Sequence, residues 1–224
     1  MTAHPPVRQS HQSLEKTITK VLAAKYLLYL PQGYEEGDEA WPLMLFLHGA
    51  GERGDDLERL KILGPPKIAE ERQDFPFVLV SPQCPADEWW SIQVLDALLD
   101  EIIAGYRIDE DRVYLTGVSM GGYGAWMLAG HRPDRFAALV PICGGGLPPM
   151  TQKMVHIPVW VFHGAKDDMV PIERSRVMVD TLRGFGGNVK FTIYPEAKHD
   201  SWTETYDNPD LYEWLLEQRR GGGE

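Results

Sequence analysis

Ser119 stands in Gly117-Val-Ser-Met-Gly121, and the chemistry of the chain is organised around that stretch. A serine hydroxyl is a weak nucleophile at neutral pH. It needs a general base, usually histidine, to take its proton as it attacks. The residues on either side read as strand, sharp turn and helix. Val113 to Thr116 is an apolar run with a β-branched residue at each end, and Met120 to Trp126 is a small-residue segment of helical character. A serine in such a turn has a strained backbone and carries its hydroxyl at the tip of the strand. A Cβ at Gly117 or Gly121 would crowd that turn.

The chain has seven histidines from which a base can come. His4 and His11 lie in the N-terminal lead. His131 sits beside a helix end and His156 before a strand, where solvated or capping roles suffice. His48 and His163 each precede a glycine at a strand end, a place where imidazole more often fixes loop geometry. His199 follows the last strand in Tyr194-Pro-Glu-Ala-Lys-His-Asp-Ser-Trp202, on a loop able to fold back over the sheet edge. It is the expected base. An imidazole base needs a carboxylate to hold its tautomer and stabilise the imidazolium. His163-Gly-Ala-Lys-Asp-Asp168 ends an earlier strand, and on spacing alone either Asp167 or Asp168 can serve. The oxyanion of a tetrahedral intermediate needs two N–H groups aimed at it. Met120, the residue after the serine, supplies one. Ala50, in the small-residue loop His48-Gly49-Ala50-Gly51, supplies the other. Trp90 and Trp202 follow strand-end loops and are expected to wall a substrate pocket, with Trp126 in the core. Glu52 and Arg53 read either as an ion pair that orders the oxyanion loop or as an ordinary solvated turn.

These residues must be carried by elements that the apolar pattern marks out. Strands are expected at Lys25–Leu30, Pro42–Leu47, Phe77–Val80 (closed by Ser81-Pro82), Phe136–Val140, Val159–Phe162 and Val189–Tyr194, besides the serine strand. Lys16–Leu30 reads as two extended pieces. The run at Pro42–Leu47 is continuously apolar, as in a strand buried on both faces of a parallel sheet. Helices are expected at Asp56–Leu63, Ser91–Tyr106, Glu173–Arg183 and Asn208–Arg219, the last capped by Asp207 or Asn208. Gly64-Pro65-Pro66 reads as punctuation. Alternating strands and helices argue for a doubly wound, mostly parallel α/β sheet. The site then lies beyond the C-terminal ends of the strands. No repeat, linker or inserted segment for a large cap is seen. Residues 1–13 read as a disordered lead, 14–220 as a single domain, and the last four residues as frayed.

At 224 residues the chain suffices for one domain with a sizeable core. Its net charge of −11 disfavours nucleic acid and anionic membrane as partners. The two cysteines, Cys84 and Cys143, read as buried free thiols rather than a disulfide framework. Met1–Ser13 lacks the apolar segment of a secretory signal, and no stretch suits a bilayer span. A cytoplasmic location is the expectation, unless a leader has been removed. No metal-ligand spacing and no phosphate- or dinucleotide-binding glycine motif is present, so no metal and no cofactor is expected.

Four motifs in order, Phe46-Leu-His-Gly-Ala-Gly-Glu-Arg-Gly54, Gly117-Val-Ser-Met-Gly-Gly-Tyr-Gly124, Phe162-His-Gly-Ala-Lys-Asp-Asp-Met-Val-Pro171 and His199-Asp-Ser-Trp202, resemble the α/β-hydrolase superfamily. More narrowly they resemble the phospholipase/carboxylesterase and dienelactone-hydrolase-like esterases, which shade into the prolyl-oligopeptidase catalytic domain. The resemblance spans residues 17–217. It implies the α/β-hydrolase fold, the Ser119–His199–Asp167 triad in preference to Asp168, and Ala50 and Met120 as oxyanion donors. The nucleophile departs from dienelactone hydrolase itself, where it is cysteine. The activity implied is that of a serine carboxylesterase, cleaving short-chain acyl or small aryl esters of small molecules through an acyl-enzyme. The alternatives are a peptidase of prolyl-oligopeptidase type and a catalytically idle binding protein on the same fold. The intact Ser, Asp and His argue against the idle protein.

Overall fold

Leu43, Leu45 and Leu47 face one side of a sheet, Met44 and Phe46 the other, and all five are buried. A continuous apolar run does this once its strand is covered on both sides. The computed structural model describes residues 11–72 and 74–221. Seven strands are found among them: β1 (Lys25–Tyr29), β2 (Trp41–Leu47), β3 (Val78–Gln83), β4 (Ile108–Val118), β5 (Ala138–Ile142), β6 (Val159–Gly164) and β7 (Val189–Tyr194). They form a single sheet in the order β1-β3-β2-β4-β5-β6-β7. Only the β1–β3 pair is antiparallel.

Six α-helices are found among the described residues: α1 (Gly64–Glu71), α2 (Ile92–Gly105), α3 (Met120–His131), α4 (Glu173–Gly184), α5 (Trp202–Asp207) and α6 (Pro209–Glu217). Helices α2, α3 and α4 pack through Leu99, Trp126 and Val179 onto the face carrying Leu45, Leu115 and Val161. Helices α1, α5 and α6 cover the face carrying Phe46, Tyr114 and Phe162 through Ile68, Tyr206 and Trp214. The sheet is therefore doubly wound. Local capping sets two of the helix starts. Ser91 Oγ accepts from the Val94 N–H at 3.4 Å to open α2, and the Asn208 side chain accepts from Asp210 N–H at 3.0 Å to open α6. Pro209 at the first turn of α6 costs nothing, because its missing N–H would have had no helical partner. No helix of the described residues is long and apolar enough to cross a membrane.

The structure departs from the sequence expectations at several element ends. Gly64-Pro65-Pro66 opens α1 instead of breaking the chain. Proline is tolerated in a first helical turn, and Gly64 has φ +65°. Residues 57–62 form a 3-10 helix rather than an α-helix, with Asp56 capping Glu58 N–H. β3 runs on through Pro82, whose partner on the antiparallel side is Tyr26. The β2 register stops at Val80, so Pro82 breaks no bond to β2. Likewise β5 extends through Pro141 to Ile142. Helix α5 was not foreseen at all. Of the two extended pieces in 16–30, only Lys25–Tyr29 is a strand. Most of the N-terminal lead and residues 222–224 lie outside the described residues.

The geometry that matters for function is the shared rim. Parallel β2, β4, β5, β6 and β7 all end on one side, at Leu47, Val118, Ile142, Gly164 and Tyr194. The residues that follow them meet there.

Candidate active site

β4 ends at Val118 and α3 begins at Met120, so Ser119 alone turns the chain. Its φ is 54° and ψ −115°, a conformation that non-glycine residues rarely hold. The turn exists because two neighbours lack side chains. A Cβ on Gly121 would collide with the Leu47 carbonyl, and one on Gly117 with the Gly121 carbonyl. Ser119 is tied on both sides, donating its N–H to Ile142 O at 2.9 Å and accepting from Tyr123 N–H at 3.0 Å.

The structure brings His199 and Asp167 to this serine from loops far apart in the chain. His199 Nε2 lies 3.0 Å from Ser119 Oγ, and His199 Nδ1 lies 2.8 Å from Asp167 Oδ2. The other oxygen of Asp167 accepts the N–H groups of Met169 and Val170, both at 2.9 Å. Burial alone would raise the Asp167 pKa. The hydrogen bonds from His199, Val170 and Met169 outweigh it and hold the carboxyl below its ordinary value. Asp168 is exposed and makes no side-chain hydrogen bond or ion pair among the described residues.

Sequence reasoning did not foresee a second histidine at the acid. The His163 Nε2 lies 3.2 Å from Asp167 Oδ2 and 2.9 Å from Val170 O, while its Nδ1 meets Ser175 Oγ at 2.8 Å. It is fully buried, and burial lowers its pKa against the opposing pull of the Val170 carbonyl and Asp167. The place of His163 at the end of β6, four residues before Asp167, was the available signal. Cys143 was also missed. It follows β5, has φ 40°, and is the only other non-glycine residue with positive φ among those described. Its thiol is buried and pushed up to about 12 by that burial, with Ser119 N–H and Ser201 facing it.

On the opposite wall, Ala50 heads the short 3-10 turn Ala50–Glu52, and Met120 heads α3. The first N–H groups of a helical turn have no partner within it. Both are therefore available to a ligand oxygen. The loop lies directly against the serine, since a Cβ on Gly49 would sit 3.7 Å from Ser119 Cβ and 3.2 Å from Glu52 Oε2. Glu52 is buried, and burial raises its pKa although the N–H groups of Gly49 and Glu52 itself face its carboxylate. Instead of pairing with Glu52, Arg53 turns to backbone carbonyls, donating to Ala50 O at 3.1 Å and Glu88 O at 3.3 Å. Arg59 adds a bond to Gly51 O at 2.5 Å. His48 pins the loop from below. Its Nδ1–H donates to Gly49 O at 2.6 Å and its Nε2 accepts from Cys84 N–H at 3.0 Å. Burial drives its pKa to about 4, so the ring is a neutral tie.

The two tryptophans part company. Trp202 is half-buried and stands edge-on to the His199 ring, with centroids 5.3 Å apart. Trp90 is only 6% exposed and packs against Gly124 and the His48 ring. It borders a cavity facing residues 20–24 rather than the serine. Trp126 is in the core, as expected. Beside the first turn of α3, Trp89 and Tyr123 meet edge to face at 6.2 Å. Cys143, Asp167 and His199 offer three donor atoms within 4.8 Å of one another. Two of these are already joined in the hydrogen bond between His199 and Asp167.

Comparison with known proteins places this geometry in context. The dienelactone hydrolase family matches residues 87–212. Over 132 residues the chain is 27% identical to the bifunctional acetylxylan esterase/xylanase XynS20E of Neocallimastix patriciarum, covering 57% of this chain and 18% of that protein. It is 24% identical over 166 residues to a "Probable feruloyl esterase C" of Aspergillus terreus, covering 72% of this chain and 61% of that one. A solved thermostable esterase superposes with a TM-score of 0.75 at 35% identity, over 87% of this chain and 59% of that chain. The chain thus spans less than two thirds of each of these relatives. The phospholipase/carboxylesterase of Dyadobacter fermentans shares the fold, with a TM-score of 0.63 at 18% identity over 89% of this chain and 99% of that one. With more than half of its length matched, the chain belongs to the dienelactone hydrolase family.

Proposed function

We propose that this chain is a serine carboxylesterase in which Ser119, His199 and Asp167 act together. The observation that carries the reading is the unbroken chain of contacts from Ser119 Oγ to His199 Nε2 at 3.0 Å and from His199 Nδ1 to Asp167 Oδ2 at 2.8 Å. His199 takes the hydroxyl proton as Oγ bonds to the ester carbonyl carbon. The carbonyl oxygen becomes an oxyanion and is met by the N–H groups of Ala50 and Met120. Collapse of the intermediate breaks the bond to the alcohol oxygen, which receives the proton from His199. Water then attacks the acyl-enzyme, again giving its proton to His199, and the acid leaves with Ser119 restored. Asp167, ionised across the working range, stabilises the imidazolium in both halves.

Short acyl and small aryl esters are the substrates this reading favours. The acetyl and feruloyl groups named for two relatives are of those kinds. The test is hydrolysis of p-nitrophenyl butyrate beside an aminoacyl amide, with fluorophosphonate labelling of wild type and Ser119→Ala. Ester turnover and labelling that both vanish in Ser119→Ala are expected. A wild-type protein that neither turns over the ester nor takes the label is not an esterase, and amide turnover above ester turnover points to a peptidase.

A further inference from the structure

His163 is a fully buried imidazole that no step of the proposed reaction uses, yet it lies against the acid. Its two ring nitrogens meet three oxygens. Nε2 lies 2.9 Å from Val170 O and 3.2 Å from Asp167 Oδ2, and Nδ1 lies 2.8 Å from Ser175 Oγ. A carbonyl and an ionised carboxylate only accept, so Nε2 carries a hydrogen. Burial disfavours the charged ring. A neutral imidazole with its hydrogen on Nε2 has a lone pair on Nδ1, and that lone pair must receive the hydrogen of the Ser175 hydroxyl. The other claimant for this hydrogen is Gly144 O, 2.9 Å from Ser175 Oγ. Were the hydrogen given to Gly144, two lone pairs would face each other across 2.8 Å. The buried Ser175, on α4, therefore fixes which nitrogen of His163 is protonated.

The consequence falls on Asp167. Val170 is held by both of its backbone polar groups. Its N–H donates to Asp167 Oδ1 at 2.9 Å, and its carbonyl accepts from His163. Met169 N–H also donates to Oδ1. Oδ2 accepts from His199 at 2.8 Å and has the His163 N–H beside it. Both oxygens of the carboxylate are thus faced by more than one N–H group. Cys143 and Tyr123 also feel the Asp167 charge, and burial raises the pKa of each, so both are neutral at neutral pH.

We propose that His163 is a positioning residue for the reaction: locked by Ser175 with its hydrogen on Nε2, it clamps the turn from Asp167 to Val170 and shares Asp167 Oδ2 with His199. The proposal rests on the esterase reading above. Two effects follow. The clamp holds Oδ2 where it orients His199 toward Ser119, so losing it costs kcat rather than substrate binding. A carboxylate oxygen shared between two N–H groups also holds an imidazolium less tightly than an unshared one. Without the His163 N–H, the proton on the catalytic base is held more tightly. The pH at which activity is lost on acidification then rises.

The experiment follows kcat, KM and the pH profile of kcat/KM on p-nitrophenyl butyrate for wild type, His163→Phe, His163→Gln and Ser175→Ala. Phenylalanine keeps a ring of similar size and has no donor, whereas the glutamine amide can donate from near the position of Nε2. His163→Phe is expected to lower kcat about tenfold with KM within about twofold, and to move the acid limb up by about half a pH unit. His163→Gln is expected to keep the wild-type limb and to regain most of kcat. Ser175→Ala, which frees the tautomer, is expected to move the limb in the same direction by a smaller step. A limb unmoved in His163→Phe overturns the proposal, and so does a glutamine variant no better than the phenylalanine one, since either result leaves His163 only a packing role. Should His163→Phe fail to unfold cooperatively in urea, Ser175→Ala decides, and an unmoved limb there overturns the proposal. A wild-type protein with no ester turnover removes the esterase reading itself, and this proposal with it.

Discussion

Asp167 gives one oxygen to His199 and the other to the N–H groups of Met169 and Val170, whereas Asp168, next in the chain, is exposed and free of such bonds. The two residues share a charge and a neighbourhood but not a geometry. Replacing Asp167 by Asn keeps the shape and removes the charge that, in the proposed mechanism, stabilises the imidazolium. We expect Asp167→Asn to cut kcat on p-nitrophenyl butyrate by about 10³–10⁴-fold, and Asp168→Asn to change it less than twofold. Equal or reversed losses would move the acid to Asp168. At this scale the sequence was informative where a residue's role is local. Ser119, His199 and the aspartate pair each follow a strand, and position after a strand is readable from the apolar runs. Trp90 was not readable. Its burial depends on Gly124 leaving room for the indole from a helix thirty-odd residues later. The buried Glu52, the contact of His163 with the acid and the strained Cys143 depend in the same way on which loops meet at the rim.

The elements were legible in proportion to how strongly one period dominated them. Strands buried on both faces appeared as unbroken apolar runs, and α2 as a regular stripe of Leu and Ile. Helices α1 and α5 were hidden because their packing, not their pattern, makes them helical. One opens on Gly-Pro-Pro and the other is six residues of mostly polar sequence. The strand–turn–helix around Ser119 is the element on which the site depends, and its tolerance is set by backbone contacts. A methyl group on Gly121 would meet the carbonyls of Leu47 and His48, which are main-chain atoms of β2 and the loop after it. They cannot swing aside as a side chain can. Gly121→Ala should therefore destabilise the fold by about 3 kcal/mol or more, seen as a lowered urea midpoint. Gly51→Ala is the matched control, since nothing lies within 4 Å of the added methyl. Equal midpoints for the two variants would mean that the elbow yields more readily than its packing indicates.

For the molecule as a whole, the buried histidines make stability depend on acidity in a definite direction. His48 joins the loop after β2 to the end of β3, through Gly49 O and Cys84 N–H, and does so as a neutral ring. Its folded pKa is about 4 against an ordinary 6.5. At pH 7 the folded chain holds it neutral and the unfolded chain mostly so, and it contributes only a small slope. As pH falls below 6.5 the unfolded chain takes up a proton that the folded chain refuses until about pH 4. Stability therefore falls across that window, by about 2 kcal/mol between pH 7 and pH 5 from this residue. His163, also lowered by burial, adds in the same direction. Glu52, raised by burial, opposes it, because the folded chain binds its proton more readily than the unfolded one. Asp167, held below its ordinary value, contributes a loss only at more acid pH. The difference between wild type and His48→Asn isolates the one residue. Asn removes the titrating group, so urea unfolding at pH 7 and pH 5 should show the variant less stable at pH 7 but with about 2 kcal/mol less loss on acidification. A slope unchanged by the substitution would place the proton uptake on His163 and make His48 an ordinary, accessible imidazole.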